Sequence, residues 1–371
     1  MNFRLKNILL VWALVAAPMA YGIENTTPCD GSKAQNSRIV TYEHISKKLE
    51  ALSDQEVTQL LKEARPLGAS GITGTVFCLE LDGATIFVKK LCLTDLEKKT
   101  YGSTANIFQL PLYYQYGIGS CGFGSQREIL AHKITTGWVL DGKCQNFPLL
   151  YHERVLEKSN TLSPEQISEI EKEIQEDLAY WNNSSAIKNR LEEMAHASAE
   201  TILFLEYIPY SLDKWWQEQT AQGTMPVTFA KIITDLFEIT AFMNAHGMIH
   251  FDLHPGNILT DGQNLYFTDF GLATSLQFEL CEEELLFFKK HTDYDKGCTA
   301  NFIVCGILDA LFGQNENKKQ AVLHEYATGN IKTELSKDIA AVLIHYAPIA
   351  ELIENFFKNV RRDKTTQYPE I

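Results

Sequence analysis

Residues 250–273 constrain this chain more than any other stretch of its sequence. Asp252 is followed closely by Asn257, and Asp269 comes after a short polar turn and an apolar run. The apolar run can form a strand that returns Asp269 to the loop carrying Asp252. Magnesium prefers oxygen ligands of this kind, and a carboxylate can accept the proton of an attacking hydroxyl group. The spacing therefore predicts a metal ion beside an acceptor hydroxyl, with a structural Asp–Asn pair on a hairpin as the alternative.

Two motifs in this stretch resemble those of the protein-kinase-like superfamily. Residues 250–257 match the catalytic-loop pattern H-x-D-x-x-x-x-N, and residues 269–271 match the metal-binding turn D-F-G. The resemblance implies an α+β fold with a small sheet-plus-helix lobe, a larger helical lobe, and ATP and Mg²⁺ bound between them. It also implies that Asp252 positions the acceptor hydroxyl, while Asn257 and Asp269 hold the metal ion.

The first residues have the pattern of a secretory signal. Arg4 and Lys6 form a basic start, residues 8–17 are apolar, and Ala20 and Gly22 are small residues suited to cleavage. We therefore predict a signal peptide over residues 1–22, with a buried helix or an uncleaved anchor as alternatives. Export implies that the protein acts where ATP is supplied, in a secretory lumen or inside another cell.

Composition limits the partners of the chain. Its 371 residues carry a net charge of −14, which argues against nucleic acid or an anionic membrane, because both require basic patches. No stable membrane insertion is expected after signal cleavage. The eight cysteines include no C-x-x-C pair and no zinc-like spacing, and their pattern leaves disulfide pairing open.

The remaining chain divides into three predicted parts. Residues 23–66 form a helical extension, in which residues 23–37 are loose and Ser53 begins the second of two helices. Residues 67–208 form the small lobe and residues 209–371 the large lobe. The small lobe carries two insertions: residues 93–125, either a surface loop or a flap near the site, and residues 162–198, a charged helical pair that covers the core.

The start of the small lobe resembles the kinase glycine-rich loop G-x-G-x-x-G-x-V. Ala69 stands in place of the first glycine and is followed by Gly71, Gly74 and Val76. Glycines allow backbone N–H groups to approach phosphates closely. The resemblance therefore implies that these four residues contact the nucleotide.

The hairpin after this loop identifies a lysine. Asp82 and Gly83 predict a two-residue turn, and counting outward from it places Val76 opposite Lys89 on one face of the sheet. Lys90 then points to the other face. Lys89 resembles the kinase lysine that holds the ATP phosphates, so we assign this role to Lys89 rather than Lys90.

Two further segments resemble kinase elements. Residues 127–134 match the helix whose glutamate pairs with the lysine, which identifies Glu128, whereas Glu97 lies in a charged turn. Residues 201–208 resemble the strand and hinge that meet the adenine. By that match Leu205 is the gatekeeper, and Glu206 and Ile208 offer backbone contacts.

The sequence departs from the family pattern at one position of the catalytic loop and at several points after the D-F-G turn. There is no A-P-E motif, and the activation segment is short, over residues 271–300. If residues 306–308 are aligned with the corresponding helix of the family, Asn301 falls where the family has a helix-anchoring aspartate. Phe251 replaces an arginine that commonly binds a phosphate on the activation segment, so switching by such a phosphate is not expected.

At the C-terminal end of the large lobe, residues 333–345 and 348–360 are predicted to form two helices.

The nature of the acceptor divides the possible functions. We predict a serine/threonine protein kinase with a protein substrate. His254 and the short activation segment also occur in relatives that phosphorylate sugars, aminoglycosides or choline, which is the first alternative. The second is a pseudokinase binding module, favoured by Ala69 and by Phe87 in place of a small residue above the adenine. A thermal shift with Mg-ATP separates the enzymes from this module.

Overall fold

The computed structural model describes residues 31–67, 75–158, 163–221 and 226–371. The predicted signal peptide lies outside these ranges, and so do Ala69, Gly71 and Gly74 of the predicted glycine-rich loop. The described chain combines helices with antiparallel strand pairs, which confirms the predicted α+β class.

The described residues group into two compact units. The sheet unit comprises the residues up to Cys92, Leu149–Lys158 and Ala199–Tyr207, and the helical unit comprises Leu93–Pro148, Ser159–Ser198 and Ile208–Ile371. The α-helices within the described ranges, in order, are α1 (Gly31–Ala51), α2 (Asp54–Glu63), α3 (Asp95–Lys99), α4 (Ser125–Leu140), α5 (Pro164–Tyr180), α6 (Ser185–Ala195), α7 (Leu212–Ala221), α8 (Pro226–Ala245), α9 (Glu282–Lys290), α10 (Tyr294–Phe312), α11 (Glu316–Thr328) and α12 (Lys337–Val360).

The sheet unit is built on five strands in the order β1-β2-β3-β5-β4. These strands are β1 (Arg65–Pro66), β2 (Thr75–Leu81), β3 (Ala84–Leu93), β4 (Leu150–Glu157) and β5 (Ala199–Glu206). Asp82 and Gly83 form the turn between β2 and β3 with φ values of 49° and 83°. Val76 pairs with Lys89 across this hairpin. The register predicted from the turn is therefore confirmed.

The N-terminal extension packs into the sheet unit as two helices. Ser53 caps α2 together with Glu56 in a capping box, as predicted. Arg154 of β4 donates hydrogen bonds to the carbonyls of Leu49 and Leu52, at the end of α1. The first helix begins at Gly31, so the prediction of a loose segment up to residue 37 is wrong for its second half.

The helical unit contains short strands that frame the catalytic loop. They are β6 (Tyr210–Ser211), β7 (Met248–Ile249), β8 (Ile258–Thr260), β9 (Leu265–Phe267) and β10 (Thr274–Ser275). The second insertion forms the predicted helical pair, α5 and α6, with Trp181 buried between this pair and the core. A buried aromatic cluster thereby joins the insertion to the residues around the catalytic loop.

The C-terminal helix α12 corrects a sequence prediction. It runs without a break through Pro348, where we predicted the junction of two helices. A proline inside a helix leaves one backbone carbonyl without its usual donor. This carbonyl belongs to Ile344, which is exposed, so water can pair with it. By length and composition, α12 is the one helix in the described ranges that could cross a membrane, and one of its faces is buried within the helical unit.

Candidate functional site

The catalytic loop is held by His250, whose side chain is fully buried. The backbone N–H of Asp252 donates to His250 Nδ1 at 3.3 Å, and Nε2 lies 2.9 Å from the carbonyl oxygen of Thr268. Because a carbonyl can only accept, Nε2 carries the proton and donates it to Thr268. His250 therefore ties the loop that carries Asp252 to the residue before Asp269.

Asp252 and Asn257 form a direct pair. Asn257 Nδ2 donates to the carbonyl oxygen of Asp252 at 2.9 Å and to its Oδ2 at 3.1 Å. The Asp252 side chain is 29% exposed. His254 Nε2 lies 3.9 Å from the same Oδ2, while His254 Nδ1 accepts from the N–H of Gly256. Asn257 thus fixes one oxygen of the carboxylate and leaves the carboxylate accessible.

Asp269 lies close to this pair through the backbone. The N–H of Thr268 donates to the carbonyl of Asn257 at 3.0 Å, which brings the next residue beside the loop. Asp269 adopts a left-handed conformation with φ 61° and ψ 70°. Such a conformation is uncommon for a residue other than glycine and is often found at functional sites. The structure therefore brings Asp252, Asn257 and Asp269 together, as the sequence predicts.

The donor set fits a magnesium ion held partly by a substrate. No group of three or more His, Cys, Asp or Glu side chains suited to a metal occurs within the described ranges. Mg²⁺ in phosphate-transferring sites, however, uses one or two protein oxygens together with phosphate oxygens and water. The hydrogen bonds from Asn257 Nδ2 turn its Oδ1 away from Asp252. Asn257 Oδ1 and the Asp269 carboxylate are thus suitable ligands.

Asp295 anchors the catalytic loop from below. Its carboxylate accepts hydrogen bonds from the N–H groups of His250, at 2.6 Å, and Phe251, at 3.0 Å. Burial raises the pKa of Asp295, although His250 and the two hydrogen bonds act in the opposite direction. The prediction that Asn301 occupies the anchoring position is wrong, because Asn301 lies one to two turns further along α10 and contacts Glu354.

Phe251 fills the position of the expected arginine with an aromatic ring. It has a φ of 62°, and its side chain is 1% exposed. Its ring packs against Tyr294 at 4.8 Å, Phe287 at 5.7 Å and His291 at 5.8 Å between centroids. Phe251 is therefore held in the loop by packing against neighbouring rings, whereas the expected arginine would pair with a phosphate.

Helix α4 contacts the D-F-G turn. The ring of Phe270 is buried against His132 of α4, with centroids 4.9 Å apart, and against His250 at 5.2 Å. A Cβ built on Gly271 would lie 3.3 Å from Glu128 Oε2 and 3.5 Å from Asp269 Oδ1. The turn thus brings the Glu128 carboxylate near the predicted metal ligand. The pairing of Glu128 with Lys89 stays a prediction.

Glu97 has a structural role that the sequence analysis missed. It is 2% exposed rather than part of an open charged turn. One carboxylate oxygen accepts from the N–H of Thr94 at 3.0 Å, and the other accepts from the N–H of Ser125 at 2.7 Å. Arg190 lies 3.6 Å away. Glu97 therefore caps both α3 and α4, and the pattern Thr94-x-x-Glu97, a capping box, was the available signal.

The first insertion lies against the site. We call residues 112–124 the strap. Gln115 Nε2 donates to the carbonyl of Leu272, next to the D-F-G turn. A Cβ added to Gly122 would fall less than 3.0 Å from the carbonyl oxygen of Gly271, closer than real Cβ atoms approach. The insertion therefore lies near the site, which disagrees with a plain surface loop. That it acts as a flap stays a prediction.

The strap is also fixed to the second insertion and to α9. Arg190 of α6 donates to the carbonyl of Gly122 at 2.9 Å. The hydroxyl of Tyr116 lies 2.9 Å from His291 Nε2. Tyr114 is fully buried and stacks edge-on against Trp181 at 4.7 Å. These contacts make the strap part of the core of the helical unit.

In the sheet unit, β3 presents its two lysines differently. Lys89 is 6% exposed. Lys90 forms an ion pair of 3.0 Å with Glu200 on β5 and lies over the ring of Phe77. Lys90 is therefore engaged within the sheet, and the opposite orientation of these neighbours agrees with the register predicted from the turn.

The predicted hinge begins with a strongly held glutamate. Arg38 of α1 donates to both carboxylate oxygens of Glu206, at 2.8 and 2.7 Å. Leu149 and Glu206 exchange two further hydrogen bonds, one through the Glu206 side chain and one through its N–H. Leu205 is 1% exposed, and Ile208 follows in the loop before β6. The extension thus fixes the end of β5.

Comparisons with known proteins agree with the central motifs. The family model described as the protein kinase domain matches residues 151–290. A stretch of 85 residues is 34% identical to the cell division control protein 2 homolog 3 of Trypanosoma brucei brucei and covers 23% of this chain. The alignment covers 27% of that relative, so the chain spans about a quarter of its length. The family match includes the hinge, the catalytic loop and the D-F-G turn, but not Lys89 or Glu128.

Proposed function

We propose that this chain is a member of the protein-kinase-like superfamily and that it transfers the γ-phosphate of Mg-ATP to serine and threonine hydroxyls of proteins. The observation that carries the proposal is the arrangement of Asp252 and Asn257. Asn257 holds Asp252 Oδ2 at 3.1 Å and keeps its own Oδ1 for a metal ion. A bound Mg²⁺ would neutralise charge on the phosphates during transfer.

Each residue of the site has a separate role in the proposed phosphate transfer. Asp252 accepts the hydrogen bond of the acceptor hydroxyl and orients it for attack. Asn257 and Asp269 hold the metal ion. The resemblance implies that Lys89, which is buried on β3, binds phosphate oxygens and that Glu128 pairs with it. Asp295 and His250 keep the loop in shape through hydrogen bonds to its backbone, so that Asp252 is oriented before the acceptor arrives.

The nucleotide base would meet the end of β5. The N–H of Glu206 is already bonded to Leu149, and its side chain is occupied by Arg38. Its carbonyl and the backbone of Ile208 are then the groups offered to the adenine. Val76 and the glycine-rich residues before it would cover the phosphates, as the resemblance implies.

A protein acceptor is favoured by the matching family and by the similar Trypanosoma protein, which is named as a cell division control protein. A small-molecule acceptor is favoured by two features of the sequence, His254 in the catalytic loop and the short activation segment. His254 contributes to the local structure by accepting from the N–H of Gly256, which is a role independent of the acceptor. We therefore place the protein acceptor first and test the small molecule as the second outcome.

The experiment is transfer of radiolabelled γ-phosphate by the purified protein, compared with Asp252→Asn. Acceptors are mixed proteins and, separately, sugars, amino alcohols and aminoglycosides. We expect label on serine and threonine, and a loss of about 100-fold or more in the variant, since a general base contributes at least that much. Asp141→Asn, an exposed aspartate paired with Lys143, is the matched control and should retain activity.

Each other result would change the proposal. Label confined to a small molecule would assign the chain to the small-molecule kinases. No transfer, with a thermal shift by Mg-ATP still present, would contradict Asp252 as the acceptor-positioning residue. No transfer and no thermal shift would indicate a binding module without catalysis.

We further propose that the protein is exported, because residues 1–22 have the composition of a secretory signal. It would then act where another compartment or cell supplies ATP. Cell fractionation with mass spectrometry of the N-terminus checks this. Unprocessed protein confined to the cytoplasm would contradict it.

A further inference from the structure

Asp252 presents one oxygen that the described chain leaves open. Its Oδ2 accepts the hydrogen bond from Asn257 at 3.1 Å. No hydrogen bond from the described residues reaches Oδ1, and the side chain is 29% exposed. A residue that positions a hydroxyl must lie within hydrogen-bond reach of it. Oδ1 is therefore the oxygen that an acceptor can use.

Gly117 of the strap lies beside this open oxygen. A Cβ on Gly117 would fall less than 3.0 Å from Asp252 Oδ1, whereas the next backbone group, the carbonyl of Phe251, would be 3.3 Å away. A hydroxyl bonded to a carboxylate lies about 2.5 to 3.0 Å from it. A side chain at residue 117 would thus occupy the space within hydrogen-bond distance of Asp252 Oδ1, which the acceptor oxygen needs. The φ of Gly117 is outside the left-handed region, so Asp252, and not the backbone, excludes a larger residue.

The strap cannot easily move away from this contact. Tyr116 and Ile118, on either side of Gly117, are 4% and 5% exposed and belong to the core cluster. Tyr116 is bonded to His291, and Gln115 to Leu272. Gly117 itself is exposed to solvent. The strap is therefore anchored through its buried neighbours and presents its glycine on the open side.

We propose that the strap is the acceptor-side wall of the catalytic site, and that Gly117 is the positioning residue that keeps Asp252 Oδ1 open to the acceptor hydroxyl. This inference rests on the proposed function and adds a residue outside the family motifs.

The first test compares Gly117→Ala with Gly137→Ala in phosphate transfer. A Cβ at Gly137, in α4, would meet nothing within 4 Å, so the same chemical change there is the matched control. We expect Gly117→Ala to reduce kcat by about 100-fold, as for a misplacement of about 1 Å at a reacting group. The thermal shift with Mg-ATP should be retained, and Gly137→Ala should keep wild-type activity.

The second test needs no activity. Gly117→Ala is combined with Asp252→Ala, and the melting temperatures of the four proteins are compared. If the new methyl group collides with the Asp252 carboxylate, Gly117→Ala lowers Tm by about 2–4 °C in the wild type. It should have a much smaller effect when Asp252 is already alanine, since contacting residues are not additive.

These results separate the inference from the proposed function. A wild type that labels no acceptor contradicts the proposed function, while the melting temperatures still test the contact. An active wild type with an equally active Gly117→Ala overturns the inference alone. Additive melting shifts would also overturn it, because Gly117 would then act independently of Asp252.

Discussion

His291 is a buried imidazole between the strap and the catalytic loop. Its Nδ1 lies 2.7 Å from the carbonyl of Phe287, and its Nε2 lies 2.9 Å from the hydroxyl of Tyr116. Burial lowers the pKa of His291 from 6.5 to about 4, although the bond to Phe287 acts in the opposite direction. The unfolded chain therefore binds a proton between these pH values that the folded protein does not, and stability falls as pH falls through this window.

We expect His291→Gln to remove this part of the pH dependence. The lowered pKa of His291 makes the free energy of unfolding depend on pH. The full stability is present above pH 6.5, and on the order of 3 kcal/mol of it is lost as the pH falls towards 4. Urea unfolding of the wild type and the variant from pH 7 to pH 4 measures the difference in slope. His345→Gln, an exposed residue on α12, is the control. Parallel curves for wild type and His291→Gln would show that His291 is not the group concerned.

At the level of single residues, the sequence predicted the site where motif and chemistry coincide. Asp252, Asn257 and Asp269 are brought together as expected, since their spacing is part of the motif. Asp295 was missed because its role is to accept two backbone N–H groups from a loop 44 and 45 residues away in sequence. Such a contact has no local pattern, and the apolar run near Asn301 gave the wrong alignment.

Helix α4 is tied to α9 by a buried ion pair. Arg127 Nη2 lies 2.6 Å from Glu284 Oε1, and the two side chains are 2% and 5% exposed. The guanidinium also donates to the carbonyl of Thr104 and lies over the ring of Phe123. The pair joins the helix that carries Glu128 to the segment after the D-F-G turn.

We expect Glu284→Ala to destabilise the protein by about 3–5 kcal/mol, because removing one partner leaves the other charge buried without compensation. Glu282→Ala, an exposed change in the first turn of the same helix, should alter stability by less than about 0.5 kcal/mol. Urea midpoints of both variants measure this. Equal effects of the two substitutions would contradict a structural role for the pair.

At the level of helices, strands and loops, sequence patterns predicted turns and helix starts correctly. They did not predict contacts between residues that are distant in sequence. The turn at Asp82 and Gly83 gave the register of its hairpin, and Ser53 gave the start of a helix. Pro348 was a misleading signal, because the carbonyl that loses its hydrogen bond belongs to Ile344, on the exposed face of α12, where water can replace the donor. The position of the strap depends on contacts with Leu272 and His291, which no periodicity in the strap itself encodes.

For the whole molecule, the net charge of −14 should influence the choice of protein acceptor. A negative surface attracts positive chains and accelerates their encounter, and salt screens this effect over about 10 Å at 0.1 M. We expect basic proteins to be phosphorylated faster than acidic ones at low salt, with the ratio falling as salt increases. Initial rates at several salt concentrations measure it. A ratio independent of salt would show that net charge does not guide acceptor choice.

The strap also sets the timing of folding during synthesis. Gln115 cannot form its hydrogen bond until Leu272 is synthesised, 157 residues later. The hydrogen-bond partner of Tyr116, His291, is synthesised 175 residues later. At about 5–20 residues per second, a ribosome needs roughly 8 to 35 s to make that length of chain. During this interval the contacts of the strap with Leu272 and His291 cannot form. The nascent chain should therefore need a chaperone, or remain in an export channel, until its catalytic half has emerged.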